Sequence, residues 1–305
     1  MGKLLHKYER MKIRRFWIII TVSLLYCLFC GSVSASETEQ SGTLSLKYPV
    51  VLVHGIGLRD PDSIVNSWGK IPNVLRENGV EVYFGNTDAW GSIESNAEIL
   101  RTTVDKILEE TGKEKVNIIA HSKGGLDSRY MLWKYDYGDK VASLTTISTP
   151  HHGSVVADLT QNLKSLHTKA AKRSLEDLSR LYNDVYPDIY GAGYELTTTN
   201  MKEFNRIVTM DDRVYFQSIY SIMSKASDDP IFTASYKYIK NIIGENDGLV
   251  SEYSARWGNN IIKIDGGISH GQIIDFTSIT GKSQLETKIF NIYLGIVNDL
   301  SNRGF

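Results

Sequence analysis

The stretch VNIIAHSKGGLDSRY, Val116 to Tyr130, decides the fold. An apolar run, Val116 to Ala120, stops at His121-Ser122-Lys123-Gly124-Gly125, after which Leu126, Tyr130 and Trp133 fall at helical spacing. A short, nearly continuous apolar run reads as a strand buried on both faces, and the spacing after it as a helix that covers the sheet. Gly124 and Gly125 let strand and helix pack closely across one sharp turn. Ser122 is then carried to the tip of that turn, beside a helix N-terminus whose free N–H groups and dipole favour negative charge. This is the geometry of a nucleophile elbow. The usual string is G-x-S-x-G, whereas here Ala120 holds the first glycine position, and a small residue still fits. A serine capping a helix in an ordinary strand-to-helix loop is the alternative reading.

Outward from this stretch, Val50 to Val53, Val80 to Phe84, Val141 to Ser148, Val214 to Ile219 and Ile261 to Ile264 are further candidate strands. Those before residue 150 alternate with amphipathic segments such as Ile93 to Glu110, the signature of a parallel sheet with crossover helices. The interval from Ser148 to Val214 is too long for one crossover and holds helical stretches of its own, Lys172 to Tyr182 and Asn200 to Ile207. An insertion over one face of the sheet, about 154–212, accounts for it.

The first 35 residues differ in kind. Lys3, Lys7, Arg10, Lys12, Arg14 and Arg15 precede an apolar run from Phe16 to Phe29, followed by Val33-Ser34-Ala35. That order predicts a signal peptide, residues 1–35, cleaved after Ala35, with an uncleaved membrane anchor as the minor alternative. Phe29 before Cys30 argues against a lipoprotein. Residues 36–47 read as a flexible lead-in and 48–305 as one domain. Both cysteines, Cys27 and Cys30, lie in the signal, so the exported chain forms no disulfide. Without residues 1–35 the chain keeps 28 Lys and Arg against 34 Asp and Glu, a balance that gives nucleic-acid binding no support.

A serine hydroxyl needs a base to take its proton and a carboxylate to orient that base. In the α/β-hydrolase order the acid and then the histidine follow the serine. Of seven histidines, His6 lies in the signal, and His54, His121, His151, His152 and His167 lie in the first half or the insertion. Only His270, in DGGISHGQ, comes late enough. The acid upstream is Asp247 in IIGENDGLVS, although Asn-Asp-Gly is also a turn sequence in its own right; Asp265 is the backup. Two N–H groups are wanted for the oxyanion: that of Lys123, after the serine, and one from the loop in PVVLVHGIG, where Ile56 is next in line. His54 reads as a residue that holds this loop by hydrogen bonds.

Four separated motifs resemble one family, the secreted bacterial triacylglycerol lipases of the true-lipase group, of the Pseudomonas and Burkholderia type with related clostridial enzymes. YPVVLVHGIG resembles the oxyanion strand and loop, and AHSKGGLDSRY with SLTTISTPHHGS resembles the elbow, its helix and the next strand. LTTTNMKEFN with VYFQSIYS is similar to the segment after the lid, and NDGLVSEYSARWG to the loop of the catalytic aspartate. The resemblance spans about residues 48–276. It implies an α/β-hydrolase fold, a mostly parallel sheet flanked by helices, with a helical lid drawn from the insertion. It matches Ser122, Asp247 and His270 to the catalytic positions and Ile56 and Lys123 to the oxyanion donors.

The departures concern metals. The Pseudomonas type holds a structural calcium through a carboxylate and an amide at the positions that are Gln272 and Phe276 here. Asp275 is a candidate for a differently built calcium site, with a solvated or capping role as the other reading. The zinc site of thermophilic Gram-positive relatives requires histidines that residues 80–100 lack. The chemistry itself requires no cofactor. The expected substrate is a lipid or other apolar ester at a lipid–water interface. Tyr182, Tyr186, Tyr190 and Tyr194 either present apolar surface to it or pack the insertion's own core. A broad carboxylesterase or polyesterase, an acyltransferase and a non-catalytic binding module are the alternatives.

Overall fold

The structure is a computed structural model and describes residues 45–60, 67–162, 184–276 and 283–305. All of these belong to the second of the two units into which the chain divides, residues 41–305. The expected signal peptide, the helical stretch Lys172 to Tyr182, His6 and His167 lie outside the described residues.

In chain order the elements are β1 (Val50–Val53), α1 (Ile71–Glu77), β2 (Val82–Phe84), α2 (Ile93–Thr111), β3 (Val116–His121), α3 (Lys123–Tyr135) and β4 (Val141–Ile147). The insertion contributes α4 (Val155–Gln161), α5 (Ile189–Glu195) and α6 (Thr198–Ile207). Then follow β5 (Tyr215–Ser221), α7 (Thr233–Ile242), α8 (Glu252–Ala255), β6 (Ile261–Ile264) and α9 (Ser283–Asn302). The strands form one parallel sheet in the order β2-β1-β3-β4-β5-β6. This is the α/β-hydrolase fold, with helices on the sheet's faces and extra helices after β4.

β1 and β3 read as nearly unbroken apolar runs because both of their faces are covered. Val50, Leu52 and Ile119 face a cluster with Trp68, Ile71, Leu75, Tyr293 and Val297. Their neighbours Val51, Val53, Ile118 and Ala120 face Ala97, Leu100, Val104 and Met131. Each such aliphatic side chain contributes about 1.5–3 kcal/mol on full burial, which lets the domain hold together without a disulfide. Just before β1, Lys47 donates its N–H to the carbonyl of Phe305 at 2.8 Å.

Two local expectations change. The strand expected from Val80 begins at Val82, because the Val80 N–H closes α1 by donating to the Leu75 carbonyl at 3.0 Å. The stripe Leu126, Tyr130, Trp133 covers the sheet only in part: Tyr130 packs both with the sheet's cluster and with Leu196, Met201 and Phe204 of the insertion, Leu126 packs with the latter, and Trp133 is exposed, against Tyr130. Met131 and Leu132 face the sheet. The insertion supplies a second apolar partner for α3, which periodicity within the helix does not reveal.

The strand order reverses between β1 and β3, since the chain goes from β1 outward to β2 and returns to β3 on the other side. In open parallel sheets the crevice at the carboxyl ends of two such strands is where ligands bind.

Candidate active site

Ser122 sits at that crevice, between β3 and α3, with φ +52° and ψ −128°. A non-glycine residue at such a positive φ is strained and needs surrounding structure to hold it there. Its N–H donates to the Ile147 carbonyl at 2.9 Å, and its own carbonyl accepts the Gly125 N–H at 3.1 Å. The two glycines after it are required by contact. A Cβ on Gly124 would stand 2.4 Å from the His54 carbonyl oxygen and 2.7 Å from that of Val53, and one on Gly125 would stand 2.2 Å from Thr149 Oγ1. Ala120 is fully buried within β3, where a methyl group packs without conflict.

His270 reaches Ser122 from a loop that follows β6. Its Nε2 lies 3.0 Å from Ser122 Oγ, and its Nδ1 lies 2.7 Å from Asp247 Oδ2. The other carboxylate oxygen of Asp247 accepts the N–H groups of Leu249 at 3.0 Å and Val250 at 2.8 Å. The His270 N–H donates to the Asp247 carbonyl at 2.9 Å, so the two loops are joined by backbone as well as side chain. All three side chains are buried. An imidazole held this way can accept a proton from the hydroxyl while the carboxylate fixes the opposite nitrogen as the donor. Asp265, the backup acid, is instead a loop residue whose carbonyl accepts the Lys288 ammonium.

The β1 loop lies directly against the serine, since a Cβ on Gly55 would stand 2.7 Å from Ser122 Cβ. Gly57 donates its N–H to the Ala89 carbonyl at 2.7 Å. His54 Nδ1 lies 2.9 Å from the Gly55 carbonyl oxygen, and its Nε2 lies 3.0 Å from the Thr87 carbonyl oxygen and 3.2 Å from the Thr87 hydroxyl. Its part is to hold the loop. Lys123 is the first residue of α3, where a backbone N–H has no acceptor within the helix. Its side chain is buried and its ammonium donates to Asp127 Oδ1 at 2.7 Å.

Sequence reasoning missed His121. Its ring is buried behind the serine, with Nε2 3.1 Å from the His270 carbonyl oxygen. Burial, and next the neighbouring His270, push its pKa well below the ordinary histidine range, so it stays neutral. It lies inside the elbow motif, but a strand residue one step before the serine gave no local sign of its partner 149 positions away. Glu195 was also missed: its carboxylate caps α2 by accepting the Ile93 N–H at 2.7 Å, and burial raises its pKa to about 7.

The side chains at the positions weighed for a metal make hydrogen bonds. Gln272 donates to the Asp228 carbonyl and accepts the Ser269 N–H, each at 3.0 Å, and Asp275 accepts the Lys70 N–H at 2.8 Å. Among the described residues no group of three or more His, Cys, Asp or Glu side chains could hold a metal ion.

A strained serine between a parallel strand and a helix, facing a His–Asp pair from later loops, defines one class of protein. The family model of the alpha/beta hydrolase fold matches residues 48–188. Triacylglycerol lipase 2 of Saccharomyces cerevisiae is 30% identical over 270 residues, 79% of this chain and 75% of that one. The chain belongs to the α/β-hydrolase superfamily. A triacylglycerol lipase of Vibrio cholerae is 37% identical over 146 residues, 48% of this chain. That match spans about half of the relative's length, 46%. The crystal structure of Staphylococcus hyicus lipase superposes with a TM-score of 0.67 at 18% identity, covering 87% of this chain and 98% of that one, a likeness of fold.

Proposed function

We propose that the protein is a carboxylic-ester hydrolase that works through an acyl-enzyme on Ser122, with acylglycerols as its substrate. The observation that carries this reading is the unbroken line Asp247–His270–Ser122, at 2.7 and 3.0 Å, ending on a serine held at positive φ. Ser122 Oγ forms the bond to the ester carbonyl carbon as its proton passes to His270 Nε2. The oxyanion of the tetrahedral intermediate takes the N–H groups of Ile56 and Lys123. When the intermediate collapses, the C–O bond to the alcohol breaks and His270 returns the proton to the departing oxygen. Water then attacks the acyl group, giving its proton to His270, and Ser122 recovers one as the acid leaves. Asp247 keeps the imidazole oriented and stabilises its charged form. No step calls for a cofactor.

The acylglycerol assignment draws on the names of the relatives, and the export signal read in residues 1–35 fits an enzyme that meets its substrate outside the cell. Among the described residues no helix is long and apolar enough to cross a membrane. The close alternative is a broad carboxylesterase or polyesterase. The test is hydrolysis of acyl esters from short to long chain by wild type and Ser122→Ala. The proposal expects activity that rises toward long, emulsified glycerides and falls by at least about 10⁴-fold in the variant. Activity confined to short soluble esters makes it an esterase, and a variant as active as wild type removes the serine mechanism. Transfer of the acyl group to added alcohol in preference to water marks an acyltransferase.

A further inference from the structure

The loop Asn86–Ser92, between β2 and α2, is linked by hydrogen bonds to neighbours of both oxyanion donors and is gripped by the insertion. On one side, the Ala89 carbonyl accepts the Gly57 N–H at 2.7 Å, next to Ile56 in the chain, and Thr87 meets His54. On the other, a buried line of hydrogen bonds leads to Lys123. The Lys123 ammonium pairs with Asp127, Asp127 Oδ2 accepts Asn96 Nδ2 at 3.1 Å, and the Asn96 amide brackets the backbone of Asp88, accepting its N–H and donating to its carbonyl, each at 3.0 Å.

The insertion's returning arm, residues 184–188, holds this same loop through two interlocked carboxylates. Asp88 of the loop accepts the N–H groups of Val185 at 2.8 Å and Tyr186 at 2.6 Å. Asp184 of the arm accepts those of Ala89 at 3.0 Å and Trp90 at 2.9 Å, and also bonds the Arg59 guanidinium at 3.0 Å. The Asp188 N–H closes the junction on the Trp90 carbonyl at 2.8 Å. Each carboxylate thus takes two adjacent backbone donors from the opposite segment. Charge-assisted bonds of this kind are stronger than neutral ones, and four of them leave the two segments little freedom to shift independently. The side chain of Ile56 adds an apolar contact to the same unit, packing with the cluster of Leu196, Met201 and Phe204 from the insertion.

We infer that Asp88 and Asp184 are positioning residues for the oxyanion site: through the loop 86–92 they couple the place of the insertion's returning arm to the backbone N–H groups of Ile56 and Lys123. This rests on the ester-hydrolase reading above. Neither carboxylate touches substrate. Their effect is to fix two donors whose misplacement by about 1 Å would cost on the order of 100-fold in rate.

The test compares wild type with Asp88→Ala and Asp184→Ala, and with the near-isosteric Asp88→Asn and Asp184→Asn in case the alanine variants fail to fold. Active serines are counted by titration with a fluorophosphonate, so that unfolded molecules lower the count and not the rate per site. On p-nitrophenyl butyrate, kcat per titrated site is expected to fall about 10- to 100-fold with KM changed less than about threefold. The affinity for an alkyl trifluoromethyl ketone, whose hemiketal oxygen occupies the oxyanion site, is expected to fall by the same factor as kcat/KM. Unchanged kcat per site and ketone affinity would overturn the inference, as would a loss confined to KM. A wild type without Ser122-dependent hydrolysis would instead sink the functional reading itself, so the two failures are told apart.

Discussion

The Nε2 of His121 lies 3.1 Å from the backbone carbonyl of His270, and the two rings stand 4.5 Å apart between centres. A carbonyl only accepts, so Nε2 carries the proton. The residue beside Ser122 therefore braces the loop that carries His270.

His121 is neutral in the fold because burial and the neighbouring His270 hold its pKa well below the ordinary range. Below pH about 6.5 the unfolded chain takes up a proton at this residue and the folded one does not, so stability is lost as pH falls. His121→Phe keeps a ring but leaves the carbonyl unpartnered, at a cost of about 1–3 kcal/mol. Urea unfolding should show the variant less stable than wild type at pH 7.5, with the gap narrower at pH 5.5. A gap that widens on acidification would mean that His121 is charged in the fold.

Asp247→Asn keeps most of the contacts around the side chain but removes the charge that pairs with His270 Nδ1 at 2.7 Å. The amide can present its NH₂ to the ring and select the wrong tautomer, and kcat should drop about 10⁴-fold with little change in melting temperature. Steady-state kinetics and thermal melting read the two quantities separately. Retention of more than about a tenth of the activity would leave Asp247 as a turn former, the role its Asn-Asp-Gly context also allows.

The elbow makes a paired prediction. Gly124→Ala forces a methyl group onto two carbonyl oxygens, 2.4 and 2.7 Å away, which belong to backbone and cannot swing aside. It should cost more than about 2 kcal/mol and displace the β1 loop from Ser122. Ala120→Gly, which restores the common pentapeptide, should instead cost about 0.5–1 kcal/mol through backbone entropy and leave kcat unchanged. Chemical denaturation and ester hydrolysis on the two variants check both halves.

Much of this was legible in the chain because the decisive features are local. β1 and β6 have the bounds of the apolar runs Val50–Val53 and Ile261–Ile264, since period and turn residues act within a few positions. Ser122, Asp247 and His270 meet because an elbow, a turn and a late loop each had a local signature and the chain order of the fold did the rest. The contacts of Asp88, Asp184, Glu195 and His121 had none. Each is an ordinary polar residue whose partner lies about 90 to 150 positions away, a distance over which periodicity carries no information. Trp133 was misjudged for the same reason, since a helix pattern shows that a stripe is apolar but not which neighbour covers it.

Glu195 supplies a stability prediction of opposite sign to that of His121. Burial raises its pKa from 4.5 to about 7, against the opposing pull of Lys123 and the Ile93 N–H. Between those values the folded chain holds a proton that the unfolded chain has lost, so stability falls as pH rises through the window. Glu195→Gln can still accept the Ile93 N–H but never ionises. It should be near neutral at pH 4.5 and more stable than wild type by on the order of 2 kcal/mol at pH 8. Equal destabilisation at both pH values would show that the carboxylate is not penalised by burial.

β6 ends the sheet, with Ile261 and Ile262 exposed on it. Its outer row of backbone donors and acceptors is a template on which a strand of another molecule could dock, the first step of aggregation in concentrated solution. Lys263, which reaches Glu252 at 3.8 Å, is the charge that stands guard on this rim. Ile262→Lys would add a second charge to this rim, three strands away from β3 and the serine, and is expected to raise solubility in concentrated solution.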